Sequence, residues 1–433
     1  MDTPFFDRIK ALSQHDAWFH VPGHKGSPEA IPPFAQALPF DLTEIEGADD
    51  LQHPSGPLAE SEANMTRAYG FGASLYTAFG CSCAVKAMLT LYVKPGQKVL
   101  MARNCHVSAV HALAFLGAHP VWLVPDEENR LSLPEVELAF LKNKDIAAVY
   151  VTSPDYFGFL SDIESLARVA HKHGVPLLVD NAHGAHLRFC MPPCHPVQLG
   201  ADASADSAHK TLPCLTGAAL LQLRDPALKE RARWALNLHG GTSPSYLTLC
   251  SLDLCAAKLL SAPPDFTAAA ARAAKVAEKF PRFVLQGPSR DPCKLTLCPP
   301  AAGYTVEELS KALVREGIYP EFTGERYVVL MAGPYNSEEA FLRLEKVLAQ
   351  FPPRGPLPVG EGFSLPFAAL PLREAALAPA EALPTKKAVG RIVSRVITPC
   401  PPGVPMVMPG ERLDRPHASL LIKSGILSVD VVK

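Results

Sequence analysis

Three stretches of the sequence carry residues that could bind or activate a ligand. In the first, FGCSCAVKAML, Gly80 allows a tight turn after a predicted strand, and Cys81, Ser82 and Cys83 begin a predicted helix. Backbone N–H groups that converge at the start of a helix bind anions such as phosphate. By itself this pattern is weak, because many strand-to-helix turns contain glycine and serine.

The second stretch, VPLLVDNAHGAH, places Asp180 at the end of a wholly apolar strand. A buried carboxylate is costly unless a cation or strong hydrogen-bond donors face it, and a protonated pyridine nitrogen is one such partner. The sequence leaves open the alternative that this aspartate only caps the loop after the strand.

The third stretch, SADSAHKTLPCLTGAALL, places His209 and Lys210 just after a short strand-like segment. Apolar turns and a strand of small residues follow the lysine, which is unlike the surroundings of a solvated surface charge. Removal from water favours the uncharged amine, which is a usable nucleophile. The interval between Asp180 and Lys210 fits one further strand, so both residues can reach one crevice at the carboxyl ends of the strands.

Together these stretches predict a pyridoxal phosphate site. The cofactor needs a phosphate cradle, a carboxylate for its ring nitrogen and a nucleophilic lysine, and the sequence supplies them in that order. A further candidate is His106, in ARNCHVSAV just past a predicted strand, which could lie flat against the pyridine ring.

Alternating apolar and amphipathic stretches predict an α/β large domain with a mostly parallel sheet. Its predicted strands include 75–79, 98–101, 121–124, 148–152 and 176–180, and its predicted helices are 82–92, 107–117 and 161–174. Beyond about residue 255 the pattern predicts a smaller α+β domain with helices at 305–317 and 337–350. The predicted segments are an N-terminal arm (1–50), the cofactor-binding domain (51–255), the small domain (256–350), a proline-rich linker (351–372) and a C-terminal segment (373–433).

Composition limits the partners of the chain. A formal net charge of −2 provides no basic field for a nucleic-acid backbone, and no apolar run has membrane-spanning length. With no signal-peptide pattern and 11 scattered cysteines, we expect a cytoplasmic enzyme with reduced thiols. A zinc site can be assembled from Cys190, Cys194 and His195, with His183 and His186 nearby, but the spacings match no familiar pattern and we expect no metal.

The chain resembles the Orn/Lys/Arg decarboxylases, which are fold-type I, pyridoxal-phosphate-dependent enzymes of bacteria that act on basic amino acids. The resemblance covers nearly the whole chain and implies the short form of the family, without the N-terminal receiver-like domain. The similar stretches are FHVPGHKG (19–26), DLTEIEGADDLQHPSGPL (41–58), PGQKVLMARNCHVS (95–108), VDNAHGAHLRF (179–189), GADASADSAHKTLPCLTGAALL (200–221), TSPSYLTLCSLD (242–253) and, more weakly, PCPPGVPMVMPGE (399–411).

The resemblance implies roles for the matching residues. Lys210 would hold the cofactor as a Schiff base, and Asp180 would keep the ring nitrogen protonated. His106 and Ala182 would pack on opposite faces of the ring, and His183 would contact the ring hydroxyl or the substrate carboxylate. The phosphate would be held by a group of small and polar residues: Gly80, Cys81, Ser82, Cys83, Ser207 and His209.

The implied reaction is decarboxylation of lysine, arginine or ornithine to an amine and carbon dioxide, a step of polyamine biosynthesis. Lys210 or His106 would return a proton to the α-carbon. The segment with Thr242 and Ser243 would reach the cofactor of a neighbouring subunit, which implies a homodimer with active sites at its interface. The distal cation of the substrate needs an anion, and each candidate has the alternative of being part of a solvated acidic loop: Glu44, Glu46, Asp49, Asp50 and Glu321.

This chain departs from the family pattern at several positions. Asn181 stands where glutamate is usual, Cys81 and Cys83 replace serine and threonine in the phosphate loop, and Cys400 replaces an aromatic residue. LTG at 215–217 stands where LTQ is more usual. Because thiols are poorer donors than hydroxyls, we expect reduced cofactor affinity. Two alternatives stay open: an aminotransferase or lyase with the same cofactor, and a catalytically weak relative that binds or regulates a partner.

Overall fold

A computed structural model describes residues 2–14, 17–287, 289–352, 354–358, 365–398 and 404–433, so Cys400 lies outside the described residues. The helices are α1 (Pro4–Leu12), α2 (Pro57–Tyr69), α3 (Cys81–Tyr92), α4 (Val107–Leu116), α5 (Leu133–Lys142), α6 (Ile163–Lys172), α7 (Ala208–Thr211), α8 (Lys229–His239), α9 (Tyr246–Ser261), α10 (Phe266–Lys279), α11 (Val306–Arg315), α12 (Glu338–Leu348), α13 (Leu372–Leu377) and α14 (Arg415–Lys423). The strands are β1 (Ala73–Thr77), β2 (Lys98–Ala102), β3 (His119–Leu123), β4 (Ile146–Thr152), β5 (Leu177–Asp180), β6 (Ala203–Asp206), β7 (Ala219–Leu223), β8 (Lys294–Leu297), β9 (Phe322–Thr323), β10 (Val328–Met331), β11 (Ala380–Pro384) and β12 (Ser428–Val432).

The chain forms two compact units, each built from separate stretches. The first unit contains Met1–Lys94, Ile146–Ser153 and Ile163–Pro264, and the second contains Pro95–Asp145, Pro154–Asp162 and Asp265–Lys433. Within the described part of the chain, no helix is both long enough and apolar enough to cross a membrane.

The first unit contains five hydrogen-bonded strands in the order β1-β7-β6-β5-β4. β4, β5 and β6 are parallel, and β7 runs antiparallel to both β6 and β1. Every residue of β1, β5, β6 and β7 is buried, and most of these residues are apolar or small, apart from polar ones such as Asp206 and Gln222. The strands predicted at 75–79, 148–152 and 176–180 correspond to β1, β4 and β5, with ends shifted by at most two residues.

The second unit contains the parallel pair β2 and β3 and an antiparallel sheet of order β8-β10-β9. Apolar side chains of α10, α11 and α12 share a core with β8 and β10, including Val276, Leu309, Phe341 and Val328. Helix α11 begins with a capping box in which Thr305 and Glu308 each bond the other's backbone. This region is the small α+β domain that the sequence predicts.

A buried ion pair joins distant parts of the second unit. The Arg103 guanidinium lies 3.2 Å from Glu411, and the two side chains are 6% and 4% exposed. Arg103 also donates to the carbonyls of Pro405 and Met406 and lies over the ring of Trp122. Burial raises the pKa of Glu411, while the nearby guanidinium opposes that rise. The pair therefore fixes the end of β2 against the C-terminal segment.

We expect Glu411→Ala to destabilise the protein by about 3–5 kcal/mol, because it leaves the Arg103 charge buried and unpaired. The control is Glu381→Ala, which removes one partner of a pair with Arg391 that is more than one-third exposed on both sides. Exposed pairs contribute about 0–1 kcal/mol. Scanning calorimetry should show a clearly lower unfolding midpoint for the first variant only. Equal midpoints for the two variants would refute the stabilising role.

A buried carboxylate holds the N-terminal helix of the first unit. Asp253 in α9 is fully buried, and its Oδ2 accepts the backbone N–H of Phe6 in α1 at 2.9 Å. Burial raises the pKa of Asp253 to about 6, from an ordinary value of 3.8. The folded protein therefore keeps this proton at pH values where the unfolded chain has lost it. The free energy of folding that the neutral Asp253 carboxyl contributes is fully present below about pH 4, and it is lost as the pH rises through 6.

We expect Asp253→Asn to gain stability relative to the native chain as the pH rises from 4.5 to 7.5. The gain should reach about 2–3 kcal/mol, since an amide cannot ionise. Urea unfolding at both pH values measures this difference, with Glu230→Gln as an exposed control in the same unit. If the difference in free energy of unfolding between the native and Asp253→Asn proteins does not depend on pH, the Asp253 carboxyl does not have a raised pKa in the folded protein.

Candidate active site

The lysine predicted to be the nucleophile lies beside a buried histidine. Lys210 is in the short helix α7, directly after β6, and its backbone N–H donates to the carbonyl of Ser207. Its Nζ atom lies 3.0 Å from Nε2 of His183, whose side chain is buried. An imidazole nitrogen and an amine at this distance share a hydrogen bond, so a proton can pass between them.

Asp180 ends β5 and is 2% exposed. Its Oδ2 accepts the hydroxyl hydrogen of Tyr150 at 3.2 Å, and its Oδ1 accepts the backbone N–H of Ala182 at 3.2 Å. The second contact is the loop-capping interaction that the sequence left open. Each carboxylate oxygen has a second lone pair, so the geometry is compatible with a further donor such as a protonated ring nitrogen.

The sequence reasoning missed Tyr150. It lies in the apolar run IAAVYVT of β4, where a buried hydroxyl requires a hydrogen-bond partner. The polar atom in an otherwise apolar strand is a signal for a buried polar contact. Its partner depends on the pairing of β4 with β5, which the sequence does not specify.

The turn before α3 is open and lacks a side-chain cap. Gly80 has a φ of +76°, and a Cβ atom added there would meet no atom within 4 Å. Burial raises the pKa of the Cys81 thiol well above its usual range, the charge of Asp180 raises it further and that of Lys210 lowers it.

Cys83 points away from this group. Its thiol donates to the carbonyl of Leu236 in α8 at 3.7 Å, and its backbone N–H donates to Gly80. Ser82 between the two cysteines is exposed. No described contact supports the predicted phosphate-binding role of Cys83, whereas Cys81 and Ser82 remain candidates.

His209 and Ser207 flank Lys210 in the sequence and contact each other. Nδ1 of His209 lies 3.0 Å from the carbonyl oxygen of Ala218 and 3.3 Å from the Ser207 hydroxyl. A carbonyl can only accept, so Nδ1 carries a hydrogen and Nε2 is left for another partner. This arrangement fixes the ring and is compatible with a phosphate contact through Nε2.

A buried polar network precedes Ser207. Asp206, at the end of β6, accepts hydrogen bonds from Asn181 and Ser204 at 2.8 Å and pairs with His195 at 2.7 Å. His195 was a zinc candidate from sequence, and here its Nε2 is bonded to Asp206. Asn181, which replaces the usual glutamate, thus helps to hold the strand end next to the candidate site.

The acidic residues proposed to recognise the substrate have different surroundings. The carboxylate of Asp49 accepts four backbone N–H groups of its own loop, those of Asp50, Ser55, Gly56 and Leu58. Asp50 accepts the N–H of Gln52 and lies 3.2 Å from His53. Glu44 and Glu46 are exposed. Asp49 therefore organises the loop before α2, and this does not support its predicted role as a substrate anion.

The remaining predicted residues are in the second unit or at the surface. His106 is the N-cap of α4, and its Nδ1 lies 2.8 Å from the hydroxyl of Ser108, whose backbone N–H it also accepts. Glu321 is exposed and accepts a hydrogen bond from Tyr156. Thr242 and Ser243 in the first unit are exposed as well.

Two protein-family models match the sequence. The model for the major domain of Orn/Lys/Arg decarboxylases matches residues 3–280, and the model for the C-terminal domain of the same family matches residues 371–422. The chain belongs to the Orn/Lys/Arg decarboxylase family. The predicted family is thereby confirmed. The chain is 32% identical over 450 residues to the uncharacterized protein YaaO of Bacillus subtilis (strain 168), with 96% of this chain and 92% of that protein covered.

An arginine decarboxylase of the same organism is 29% identical over 474 residues, with 98% of this chain and 94% of that enzyme covered. Among solved structures, lysine decarboxylase LdcF of Francisella novicida superposes with a TM-score of 0.84 at 17% identity, covering 100% of this chain and 81% of that chain. The structural likeness confirms the predicted fold class, which is the α/β fold-type I architecture with a smaller α+β domain.

The two cysteines of the phosphate loop differ in a way that can be measured. We expect Cys81→Ser to bind pyridoxal phosphate about three- to tenfold more tightly, because a hydroxyl is the better donor and Cys81 begins α3, whose N-terminus has no side-chain cap. Cys83→Ser is the matched control and should leave the affinity unchanged. Fluorescence titration of the cofactor-free proteins measures both. A larger gain in cofactor affinity for Cys83→Ser would mean that Cys83, and not Cys81, lies at the phosphate.

Proposed function

We propose that this family member is a pyridoxal-phosphate-dependent decarboxylase of a basic amino acid. The observation that carries the proposal is that β5 and β6 pair in parallel, so that Asp180 ends one strand while Lys210, just after the next, lies 3.0 Å from the buried His183. The residues suit the cofactor because the Asp180 carboxylate has lone pairs for a ring N–H, and Gly80 leaves the N-terminus of α3 without a side-chain cap.

The cofactor, when bound, accepts the electron pair that the departing carboxylate leaves on the α-carbon. Lys210 would supply the amine that holds the cofactor. His183, 3.0 Å from that amine, takes and returns its proton. Asp180 provides the buried negative charge that favours a protonated ring nitrogen.

The cofactor phosphate is held in this proposal by the N-terminus of α3, Ser82 and the Ser207–His209 pair. The dipole and the first-turn N–H groups of α3 attract an anion, and Gly80 contributes no side-chain cap that would compete. Nε2 of His209 would contact the phosphate, since Nδ1 is already bonded to the carbonyl of Ala218.

Several finer roles are also proposed on the basis of the family resemblance. His106 and Ala182 would hold opposite faces of the cofactor ring, and Ser108 fixes the orientation of the imidazole. Exposed Thr242 and Ser243 meet the cofactor of a second subunit in a homodimer. The enzyme then works in the cytoplasm, and its amine product feeds polyamine synthesis.

The substrate class is lysine, arginine or ornithine, and arginine is the first to test. The relatives named arginine decarboxylase match along 94–98% of this chain, whereas those named lysine decarboxylase match along 48–59%. Glu44, Glu46 and Glu321 have exposed carboxylates that suit a distal cation, and the carboxylate of Asp49 is already occupied by its own loop.

The deciding experiment combines a spectrum with product analysis. We expect the purified protein with pyridoxal phosphate to absorb near about 420 nm, to lose the band on borohydride reduction, and to release carbon dioxide and the matching amine from arginine, lysine or ornithine. Lys210→Ala should lack the band and the activity, whereas Lys311→Ala, an exposed lysine of α11, should retain both.

Other outcomes would point to the alternatives. Formation of pyridoxamine phosphate without carbon dioxide would identify an aminotransferase. A native protein that stays colourless with added cofactor would refute cofactor binding and favour the catalytically weak relative.

A further inference from the structure

Tyr150 reaches Asp180 from the neighbouring strand. In the parallel pairing of β4 and β5, Tyr150 lies opposite Leu178 and Thr152 lies opposite Asp180. The phenol therefore extends diagonally past one residue pair, a distance that aromatic side chains can span. Its hydroxyl ends 3.2 Å from Oδ2 of Asp180, and both side chains are buried.

We propose that Tyr150 is a positioning residue for the cofactor, which orients the Asp180 carboxylate toward the ring nitrogen. This inference rests on the proposed function. Burial penalises the carboxylate anion, and a donated hydrogen bond offsets part of that penalty. The backbone N–H of Ala182 donates to Oδ1 and the phenol donates to Oδ2, so each oxygen is fixed by one donor.

The hydroxyl tunes Asp180 in a definite direction. With the phenol donating to Oδ2, less of the charge on the carboxylate is available to the ring N–H, and the proton stays on the ring nitrogen. Without it, the carboxylate draws that proton toward itself, and the ring becomes a poorer electron acceptor. Since Tyr150 has its effect through Asp180, its removal should slow the reaction more than it weakens substrate binding.

Tyr150→Phe tests this proposal because phenylalanine keeps the ring and removes only the hydroxyl. The matched control is Tyr76→Phe, which removes a buried hydroxyl bonded to Ser61 in the same unit. The main measurement is the pH titration of the bound cofactor's absorption. A less positive ring lets the Lys210-bound nitrogen keep its proton to higher pH, so the midpoint should rise by about half a unit to one unit in Tyr150→Phe only.

Kinetics with the active amino acid provide a second measurement. For Tyr150→Phe, kcat should fall about tenfold while KM changes less than about twofold. Replacement of Tyr150 by 3-fluorotyrosine strengthens the phenol as a donor and should lower the titration midpoint, opposite to the phenylalanine variant. This second variant retains the hydroxyl, so it keeps the test valid if Tyr150→Phe folds poorly.

The outcomes separate this inference from the proposed function. A native protein without the absorption band would refute the proposed function itself. A native protein with the band, and midpoints for Tyr150→Phe and Tyr76→Phe that match it within error, would refute the role of Tyr150 and leave the decarboxylase proposal standing. Midpoints that move in opposite directions for the phenylalanine and fluorotyrosine variants would support the role.

Discussion

The candidate site depends on one costly feature, a carboxylate buried at the end of a strand that is apolar along its whole length. Asp180 is 2% exposed, and an anion in such surroundings persists only if donors or a positive charge compensate for the lost water. The phenol of Tyr150 and the N–H of Ala182 supply two donors. The remaining acceptor positions of the carboxylate suit a cationic ligand.

The sheet brings the reactive groups together because parallel strands end at the same edge. β5 ends at Asp180 and β6 ends at Asp206, so His183 and Lys210 follow two adjacent strands and their side chains meet. The buried Asp206–His195–Asn181 network fixes the end of β6. Rigid strands thus hold the loops that carry the polar atoms, which reduces the reorganisation needed during a reaction.

In the second unit, buried polar contacts likewise hold the loop at the end of a strand, and Arg103 is their centre. Arg103 follows β2 directly and is bonded to Glu411, which is 308 positions further along the chain. Asn104, next to it, donates to Asn129 at 2.7 Å. These contacts restrain the short loop that ends at His106, and Ser108 restrains the imidazole itself. A long-range ion pair therefore holds a loop that the sequence had marked for its histidine alone.

The sequence by itself predicted the α/β class, the bounds of the main strands and helices within about two residues, and Asp180 and Lys210 as candidates for one site. These follow from hydrophobic period and residue order, which are local properties. The sequence also marked Cys81 and Cys83 as equivalent, although residues two apart in a helix face different sides. The spacing of the two cysteines in the predicted helix was therefore enough to predict that only one of them faces the candidate site.

Only the tertiary structure decided which buried polar atoms are partners. The sequence predicts Asp49 as a substrate anion, but in the structure its carboxylate accepts four backbone N–H groups of its own loop. The pairing of β4 with β5 brings Tyr150 to Asp180, and the sequence does not specify that pairing. Strand register and loop closure join residues that are far apart in sequence. Hydrogen bonding requires placement within a few tenths of an ångström, and no local pattern of residues specifies that placement.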